Sequence, residues 1–532
     1  MTILIFLLIS YLLLSISLYF VFNKAGEAGW KGLVPGLNFA VWAKLIGRKE
    51  RYALWLLFPV VNIFIYAGMC IDLVRCFGKH SFLQAVGSVV YAPASFFLIG
   101  KNKEDQYAGP IVEQEKAYYA QIEEARKSEN ARQLKKLEAN NPFKKGPARE
   151  WAEAIIFAVF AAAFIRMFLI EAYVIPTPSM EGTLLVGDYL FVSKAHYGIR
   201  TPKTVLMIPL LHNRIPVLNR ESYLEKPNLP FWRLPALEKI DRNDLVVFNY
   251  PEGDSIYLTP SRAFSVYDVR RNPGLQSEVR GRQLITRPVD KKDHYIKRCV
   301  AIAGDTLQIR DGQLYINGAI SRNPEKIQFL YKVTYQGQLN TSVFEDWGIL
   351  GGPSSDIASA SPGLLYLHLN NEQVELIKGM DPSVQVERVD IASVRNSPNM
   401  VFPYDLRHNQ DWTIDNYGPL YVPKKGASIP LNEVTVNTYR RCIEVYEGNS
   451  FQISGGKYLI NGQEATSYTF TQDYYWMMGD NRHNSEDSRI WGFVPADHVV
   501  GKPLFIWFST KNGSMSNGIN WNRIFRKANN YD

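Results

Sequence analysis

Tyr173-Val-Ile-Pro-Thr-Pro-Ser-Met-Glu-Gly-Thr-Leu-Leu-Val-Gly-Asp-Tyr-Leu-Phe-Val-Ser-Lys194 decides the reading, because the character of the chain changes there. Before it runs a mostly apolar stretch, Trp151 to Ile170, with Glu153 and Arg166 near its ends. After it come short runs rich in Val, Ile, Tyr and Phe, broken by Gly, Pro, Asn and Asp, which is the pattern of strands and turns. The chain beyond residue 172 is therefore expected to be mainly β.

Working back from that point, three more apolar stretches appear. Thr2 to Phe22 and Ser81 to Ile99 carry no charge, and Tyr52 to Val74 carries only Asp72. Each of the four has the length that crosses about 30 Å of hydrocarbon as a helix. The first lacks the basic leader of a cleavable export signal, so it reads as an anchor. Residues 23 to 51 hold six basic side chains and residues 101 to 150 hold eleven, which predicts that both loops are cytoplasmic. Four crossings then put the N-terminus, the loop Arg75 to His80 and everything after about residue 172 outside the cytoplasm. That short loop fits poorly, since it carries Arg75 and Lys79, and a re-entrant hairpin in place of two crossings leaves the fate of the C-terminal half unchanged.

The net charge of +8 follows from such retention charges and a surface near anionic lipid, and no nucleic-acid motif accompanies it. The four cysteines have no zinc spacing. Gly-Trp-Lys-Gly-Leu-Val-Pro-Gly, residues 29 to 36, breaks helix and leaves either a re-entrant turn or a plain linker. Residues 101 to 141 read as a solvated helix with a thin apolar stripe of Tyr119, Ile122 and Ala125.

The β half contains a repeat. Lys297-Arg-Cys-Val-Ala-Ile-Ala303 aligns on Arg440-Arg-Cys-Ile-Glu-Val-Tyr446, and after one extra residue, Glu447, Gly304-Asp-Thr-Leu-Gln-Ile309 aligns on Gly448-Asn-Ser-Phe-Gln-Ile453. Both copies then reach Ile-Asn-Gly, at 316 to 318 and 460 to 462. Two copies of one unit are expected, each a strand, a Gly turn and a hairpin, with an insertion between them in which Asn370 to Ile377 looks helical. Cys299 and Cys442 hold equivalent positions, and whether a disulfide joins them stays open.

Three segments resemble the type I signal peptidases. The first is Pro-Thr-Pro-Ser-Met around Ser179, followed by Thr-Leu and Gly-Asp. The second is Tyr295-Ile-Lys-Arg with Gly304-Asp305. The third is Met478-Gly-Asp-Asn-Arg-His-Asn-Ser-Glu-Asp-Ser-Arg489 with Trp491-Gly-Phe-Val-Pro495. Arg242-Asn-Asp-Leu-Val-Val-Phe248 is a weaker fourth. The resemblance covers about residues 150 to 510. It implies a signal peptidase-like antiparallel β catalytic domain attached to an α-helical transmembrane region. It also implies a serine endopeptidase with Ser179 as nucleophile and Lys297 as base, and neither cofactor nor metal.

A serine hydroxyl needs a base within hydrogen-bond reach, and none of the eight His residues has a recognisable triad setting. A lysine serves if burial lowers its pKa toward neutrality. By resemblance, Thr177 and the Ser179 amide bind the oxyanion, Ser485 holds the lysine amine, Met180 packs beside the nucleophile and Tyr295 supports the lysine strand. Asp480 with Arg482, and Asp487 with Arg489, are expected ion pairs under the site. His483, where the family often has Asp, is read as a surface residue. Arg440 replaces the lysine in the second copy and cannot lose its proton, so only the first copy is expected to be catalytic.

The organisation expected is a membrane module (1–100), a charged and partly helical cytoplasmic linker (101–150), an anchor (151–172), a catalytic β domain in two parts (173–318 and 418–510) around an insertion (319–417), and a tail (511–532). Eight residues separate Ile170 from Ser179, at most about 30 Å of chain, which keeps the nucleophile near the membrane. The implied partners are signal peptides of exported preproteins, the lipid bilayer and the secretion translocon, at the outer face of a bacterial cytoplasmic membrane. The strand Leu184 to Val192 and the segment around Ser179 are candidates for lining the side-chain pockets. Rival readings are a Ser/Lys peptidase dedicated to one secretion or conjugation substrate, and an inactive membrane scaffold on the same fold.

Overall fold

His294-Tyr-Ile-Lys-Arg-Cys-Val-Ala301 is a strand within a seven-stranded antiparallel sheet. In chain order the strands are β1 (Ile170–Val174), β2 (Asp188–Ser193), β3 (Leu245–Asn249), β4 (His294–Ala301), β5 (Tyr474–Met478), β6 (Val494–Pro495) and β7 (Val499–Ser509). Across the sheet they run β1-β2-β7-β3-β4-β5-β6. The apolar run Leu-Val-Val-Phe makes β3 buried throughout, since both faces of the sheet are covered. Met180, Leu184, Leu190, Leu245, Val247 and Ile506 pack on one side, and Val246, Phe248, Cys299, Met477 and Trp491 on the other. Successive side chains of a strand point to opposite faces, which is how β3 feeds both cores.

The structure is a computed structural model describing all residues except 1, 58–60, 145–146, 205–206, 209, 212, 216–219, 227, 260–262, 352–355, 391–400 and 530–532. It divides into two compact units, Met1–Ile165 with Thr204–Asn228, and Arg166–Lys203 with Leu229–Asp532. The second unit is mainly antiparallel β, as expected. Parts of the expected second crossing, the insertion and the tail fall on residues 58–60, 352–355, 391–400 and 530–532, outside the described residues.

The insertion builds a core of its own. Strands Phe329–Thr334, Ile357–Ser361, Leu364–Leu369 and Gln385–Arg388 form one sheet. The expected helix, Asn371–Lys378, packs Val374 and Ile377 against Val333, Leu365 and Leu367. Its start is fixed by Asn370, whose side chain accepts from the Gln373 N–H while the Gln373 side chain accepts from the Asn370 N–H.

The repeat holds in its second half alone. Thr306–Arg310 and Gln313–Ile316 form one hairpin, and Phe451–Ser454 and Lys457–Ile460 form its counterpart. After each hairpin an Asn-Gly pair takes positive φ, 53° and 82° at Asn317-Gly318 and 52° and 79° at Asn461-Gly462. The first half departs from expectation: where the first copy has β4, the second has a helix, Glu433–Arg441, and a π-helical turn, Cys442–Tyr446. Asn432 caps that helix, and the extra Glu447 follows a turn type that takes up additional residues. Among the described residues all four cysteines are free and buried, so no disulfide joins Cys299 to Cys442.

In the first unit the helices are α1 (Thr2–Lys24), α2 (Leu37–Leu45), α3 (Val61–Arg75), α4 (Phe82–Val90), α5 (Ala92–Lys101), α6 (Ile111–Lys127), α7 (Ala131–Ala139) and α8 (Pro147–Phe168). Two expected crossings are not single helices. Within Tyr52 to Val74 a 3-10 stretch, Glu50–Leu57, precedes α3. Ser81 to Ile99 breaks at Tyr91, and α4 and α5 are bent by 119°. Pro93 lies in the first turn of α5 and has no N–H to continue α4. Among the described residues no single helix is long and apolar enough to cross a membrane; the bent pair Phe82–Val90 with Ala92–Lys101 passes that test together. Of the expected stripe, Ile122 and Ala125 are buried and Tyr119 is exposed.

Candidate active site

Ser179 sits in a 3-10 turn, Pro178–Met180, that follows β1. Met180, fully buried among Ile175, Leu184 and Leu245, pins the turn to the sheet core. On β4 Lys297 is buried, and its Nζ donates to Ser179 Oγ at 2.7 Å and to Ile296 O at 3.1 Å. Burial lowers the Lys297 pKa to about 8, against the pull of Asp487, Glu486 and Asp480. The amine also lies 5.6 Å from the centre of the Tyr295 ring. That ring is held by stacking on Tyr250 at 4.8 Å and edge-on to Trp491 at 5.3 Å.

Thr177 Oγ1 lies 3.4 Å from Ser179 Oγ. The pair opens into a cleft of about 820 Å³. Its apolar lining includes Ile175, Pro176, Leu190, Val247 and Ile296, and Leu190 is the residue of Leu184 to Val192 that reaches it. Phe264, Asp268, Arg271, Asn272 and Leu275 also line the cleft. They belong to an excursion between β3 and β4 to which the sequence reading gave no part.

The third motif folds beneath the pair. Gly479 is required there, because a Cβ on it would lie 2.4 Å from Ser179 O and 2.3 Å from Ser485 Oγ. Its N–H donates to Asp487 Oδ2 at 3.0 Å, and the Asn481 N–H donates to Ser179 O at 3.3 Å. Asp487 and Arg489 form the expected buried ion pair at 2.8 Å. Ser485 lines the cleft, but the hydrogen bonds of the Lys297 amine go to Ser179 and Ile296. Ser485 Oγ is buried without a partner of full hydrogen-bond geometry, close enough to Asp487 to help keep that carboxylate ionised.

Two further expectations need correction. Asp480 does not pair with Arg482: it is bound by Arg298, Nε to Oδ1 at 2.8 Å and Nη2 to Oδ2 at 2.6 Å. Thr183 Oγ1 donates to the same carboxylate at 2.6 Å. Arg298 follows Lys297 on β4 and meets Asp480 from the neighbouring strand end, whereas Arg482 turns back on Gly479 O at 3.1 Å. Burial lowers the Arg482 pKa to about 10. His483 is not a surface residue. It is buried, accepts at Nδ1 from the Leu330 N–H at 3.1 Å, and bonds Asp415 through Nε2 at 2.9 Å.

These contacts tie the motif to the insertion. The Gln328 N–H donates to Asp480 O at 3.0 Å and Gln328 O accepts from the Arg482 N–H at 2.9 Å. Two residues past the nucleophile, Glu181 is buried against Asp356 of the insertion. Burial and the neighbouring carboxylate push the Glu181 pKa up, and burial pushes that of Asp356 up as well, because two carboxyls in one buried site resist ionising together. Glu181 stands inside the quoted motif, but nothing in the sequence names its partner. Arg440, the counterpart of Lys297, is half exposed and paired with Glu444 at 3.0 Å.

A hydroxyl thus lies within hydrogen-bond reach of a buried amine of lowered pKa, at the base of a cleft in an antiparallel β scaffold. Comparison with known proteins gives the family. The family model of signal peptidases, peptidase S26, matches residues 148–345 and 424–508, more than half of the chain, and the chain belongs to that family. A family of unknown function matches residues 30–110. Signal peptidase I of Buchnera aphidicola from Schizaphis graminum is 25% identical over 372 residues, covering 69% of this chain and 78% of that protein. Signal peptidase I of Haemophilus influenzae is 25% identical over 396 residues, 74% of this chain and 80% of its own length. That of Aquifex aeolicus is 22% identical over 363 residues, 68% and 85% respectively.

Proposed function

We propose that this chain is a signal peptidase I that removes signal peptides from exported preproteins, with Ser179 as nucleophile and Lys297 as general base. The observation that carries this reading is the 2.7 Å hydrogen bond from the buried Lys297 amine to Ser179 Oγ at the base of the cleft. In its neutral form the amine takes the hydroxyl proton as Oγ attacks the scissile carbonyl. Thr177 Oγ1 and the Ser179 N–H stabilise the oxyanion. Lys297 then passes the proton to the leaving amine, and an acyl-enzyme on Ser179 remains. The same amine activates the water that hydrolyses it.

Tyr295, Met180, Ser485, Asp487, Arg489, Asp480 and Arg482 hold this geometry without touching the reacting atoms. The apolar lining of the cleft suits the small side chains before the cleavage site. The chain is placed at a bacterial cytoplasmic membrane, catalytic unit outside, beside the bilayer and the translocon. Support comes from the apolar helical stretches Leu8–Lys24 and Ala154–Phe168 and from bacterial relatives named Signal peptidase I.

The test is preprotein cleavage in detergent by the wild type, Ser179→Ala, Lys297→Ala and Arg440→Ala. The expected outcome is processing by the wild type and Arg440→Ala, and none by the first two variants. Processing by Lys297→Ala at the wild-type rate rejects the assignment.

A further inference from the structure

We infer that α4 and α5 form a re-entrant hairpin that enters a lipid bilayer from the side of the basic loops and returns to it, so that residues 25–150 never cross. The inference rests on the membrane placement proposed above and concerns a segment to which neither the family nor the mechanism gives a role.

The connecting segments of this unit converge at one end. The Lys24 amine, closing α1, donates to Ile99 O at 2.7 Å and to Asn102 O, at the end of α5. Past the end of α3, Lys79 pairs with Asp105 at 3.0 Å, and the Ala108 N–H donates to Cys76 O at 2.8 Å. Tyr107 Oη donates to Leu45 O at 2.6 Å, and Arg48 meets Asp72 at 3.3 Å. Lys31 and Lys44 share Glu27 at 2.7 and 2.8 Å. The ends of α1, α2, α3 and α5 therefore lie together, and Arg75 to His80 lies with the basic loops, not across a membrane from them as the sequence reading had it.

Between Lys79 and Lys101 the chain leaves this basic end and comes back. α4 has nine residues and α5 ten, so each rises only about 14 Å, half of the roughly 30 Å of hydrocarbon. The faces they turn outward are apolar: Phe82, Leu83, Val90 and Leu98 are more than two-thirds exposed. At the bend the Tyr91 N–H bonds Gly87 O at 3.1 Å, and Pro93 has no N–H to satisfy, which reduces the number of free donors there. Cations at both feet of an apolar hairpin match an anionic headgroup layer above hydrocarbon. A protein partner would not require both feet to be basic, so the occupant is the bilayer leaflet.

Single cysteines placed in the full-length protein test this with a membrane-impermeant maleimide on intact and on permeabilised cells. The native cysteines are all buried and set the background. Lys79→Cys, with His80→Cys as a second reporter of that loop, is expected to label at least about tenfold more after permeabilisation, as Lys103→Cys does. Lys457→Cys, in the catalytic unit, labels in both states, and Val90→Cys, at the hairpin tip, in neither. Labelling of Lys79→Cys and His80→Cys in intact cells while Lys103→Cys stays protected overturns the hairpin. Labelling of Val90→Cys in either state does the same. If Lys103→Cys and Lys457→Cys label alike, the membrane placement itself falls, and the hairpin with it.

Discussion

Arg298 and Asp480 face each other through two hydrogen bonds, both side chains almost wholly buried, and this pair joins the strand of Lys297 to the loop of Ser485. Burial works against ionising Asp480, and the guanidinium overrides it, holding the carboxyl below its usual range. Removing one partner strands a charge in the core, which costs about 3–5 kcal/mol. Asp480→Ala is expected to lose that much stability by chemical denaturation, together with activity. The double variant Arg298→Met, Asp480→Leu should recover most of the stability, because an apolar pair can replace a buried ion pair.

The Lys297 amine leaves a pH signature in both activity and stability. With the pKa lowered to about 8, the competent neutral form increases as pH rises, so kcat/KM should climb through an acid limb near that value. Stability follows the same sign. Between the folded value and the unfolded 10.5 the unfolded chain binds more protons, so burial of Lys297 becomes less costly as pH rises from 8. Below 8 the whole penalty stands. Lys297→Met should therefore abolish cleavage yet raise stability at pH 7 by roughly 2 kcal/mol. A destabilised Met variant at pH 7, or a rate flat from pH 6 to 9, would contradict a buried base.

Ser179 and Lys297, which the structure brings within hydrogen-bond reach, each sit in a segment with its own resemblance. The asparagine before residue 371 announced its helix through local chemistry alone. The failures share a cause: the deciding partner lies far along the chain. His483 reads as polar surface until Asp415 is found 68 residues earlier, and Asp480 takes the more distant Arg298 over the nearer Arg482. In the second repeat copy the residues after Arg440 look like a strand, but Asn432 upstream has already started a helix. Apolar length marked Ser81 to Ile99 as a crossing, and the bend before Pro93 is invisible to a length count.

Gly479 separates two groups that have to stay close. Replacing its hydrogen by a methyl puts that carbon against the Ser179 carbonyl and the Ser485 hydroxyl, one of them backbone that cannot swing away. Gly479→Ala is expected to lower kcat by a hundredfold or more through displacement of Ser179. KM for a short peptide substrate should change by less than about threefold, since the apolar lining stays in place. A variant with wild-type kcat would show that the turn tolerates movement and that its tight packing is not what positions the nucleophile.

His483 makes the join between motif and insertion sensitive to acid. Nδ1 accepts from Leu330, so the ring is neutral with its proton on Nε2 toward Asp415. Burial lowers the His483 pKa, although Asp415 pulls the other way and Arg489 and Arg388 reinforce the burial. His368 nearby is lowered to about 4 by burial and by His483. For both, the unfolded chain takes its proton first as pH falls below the ordinary histidine value of 6.5, so stability is lost from there downward. Once His483 is protonated, Nδ1 turns from acceptor into donor and faces the Leu330 N–H. The amides of Gln328, Leu330 and Arg482 should lose protection, relative to their intrinsic exchange rates, between pH 6 and 4 by more than those of the rest of the central sheet. His483→Asn, which can accept in place of Nδ1 but does not titrate, is expected to flatten that dependence while leaving exchange at pH 7 within about threefold of the wild type. If the variant keeps the acid sensitivity, the proton is taken up elsewhere.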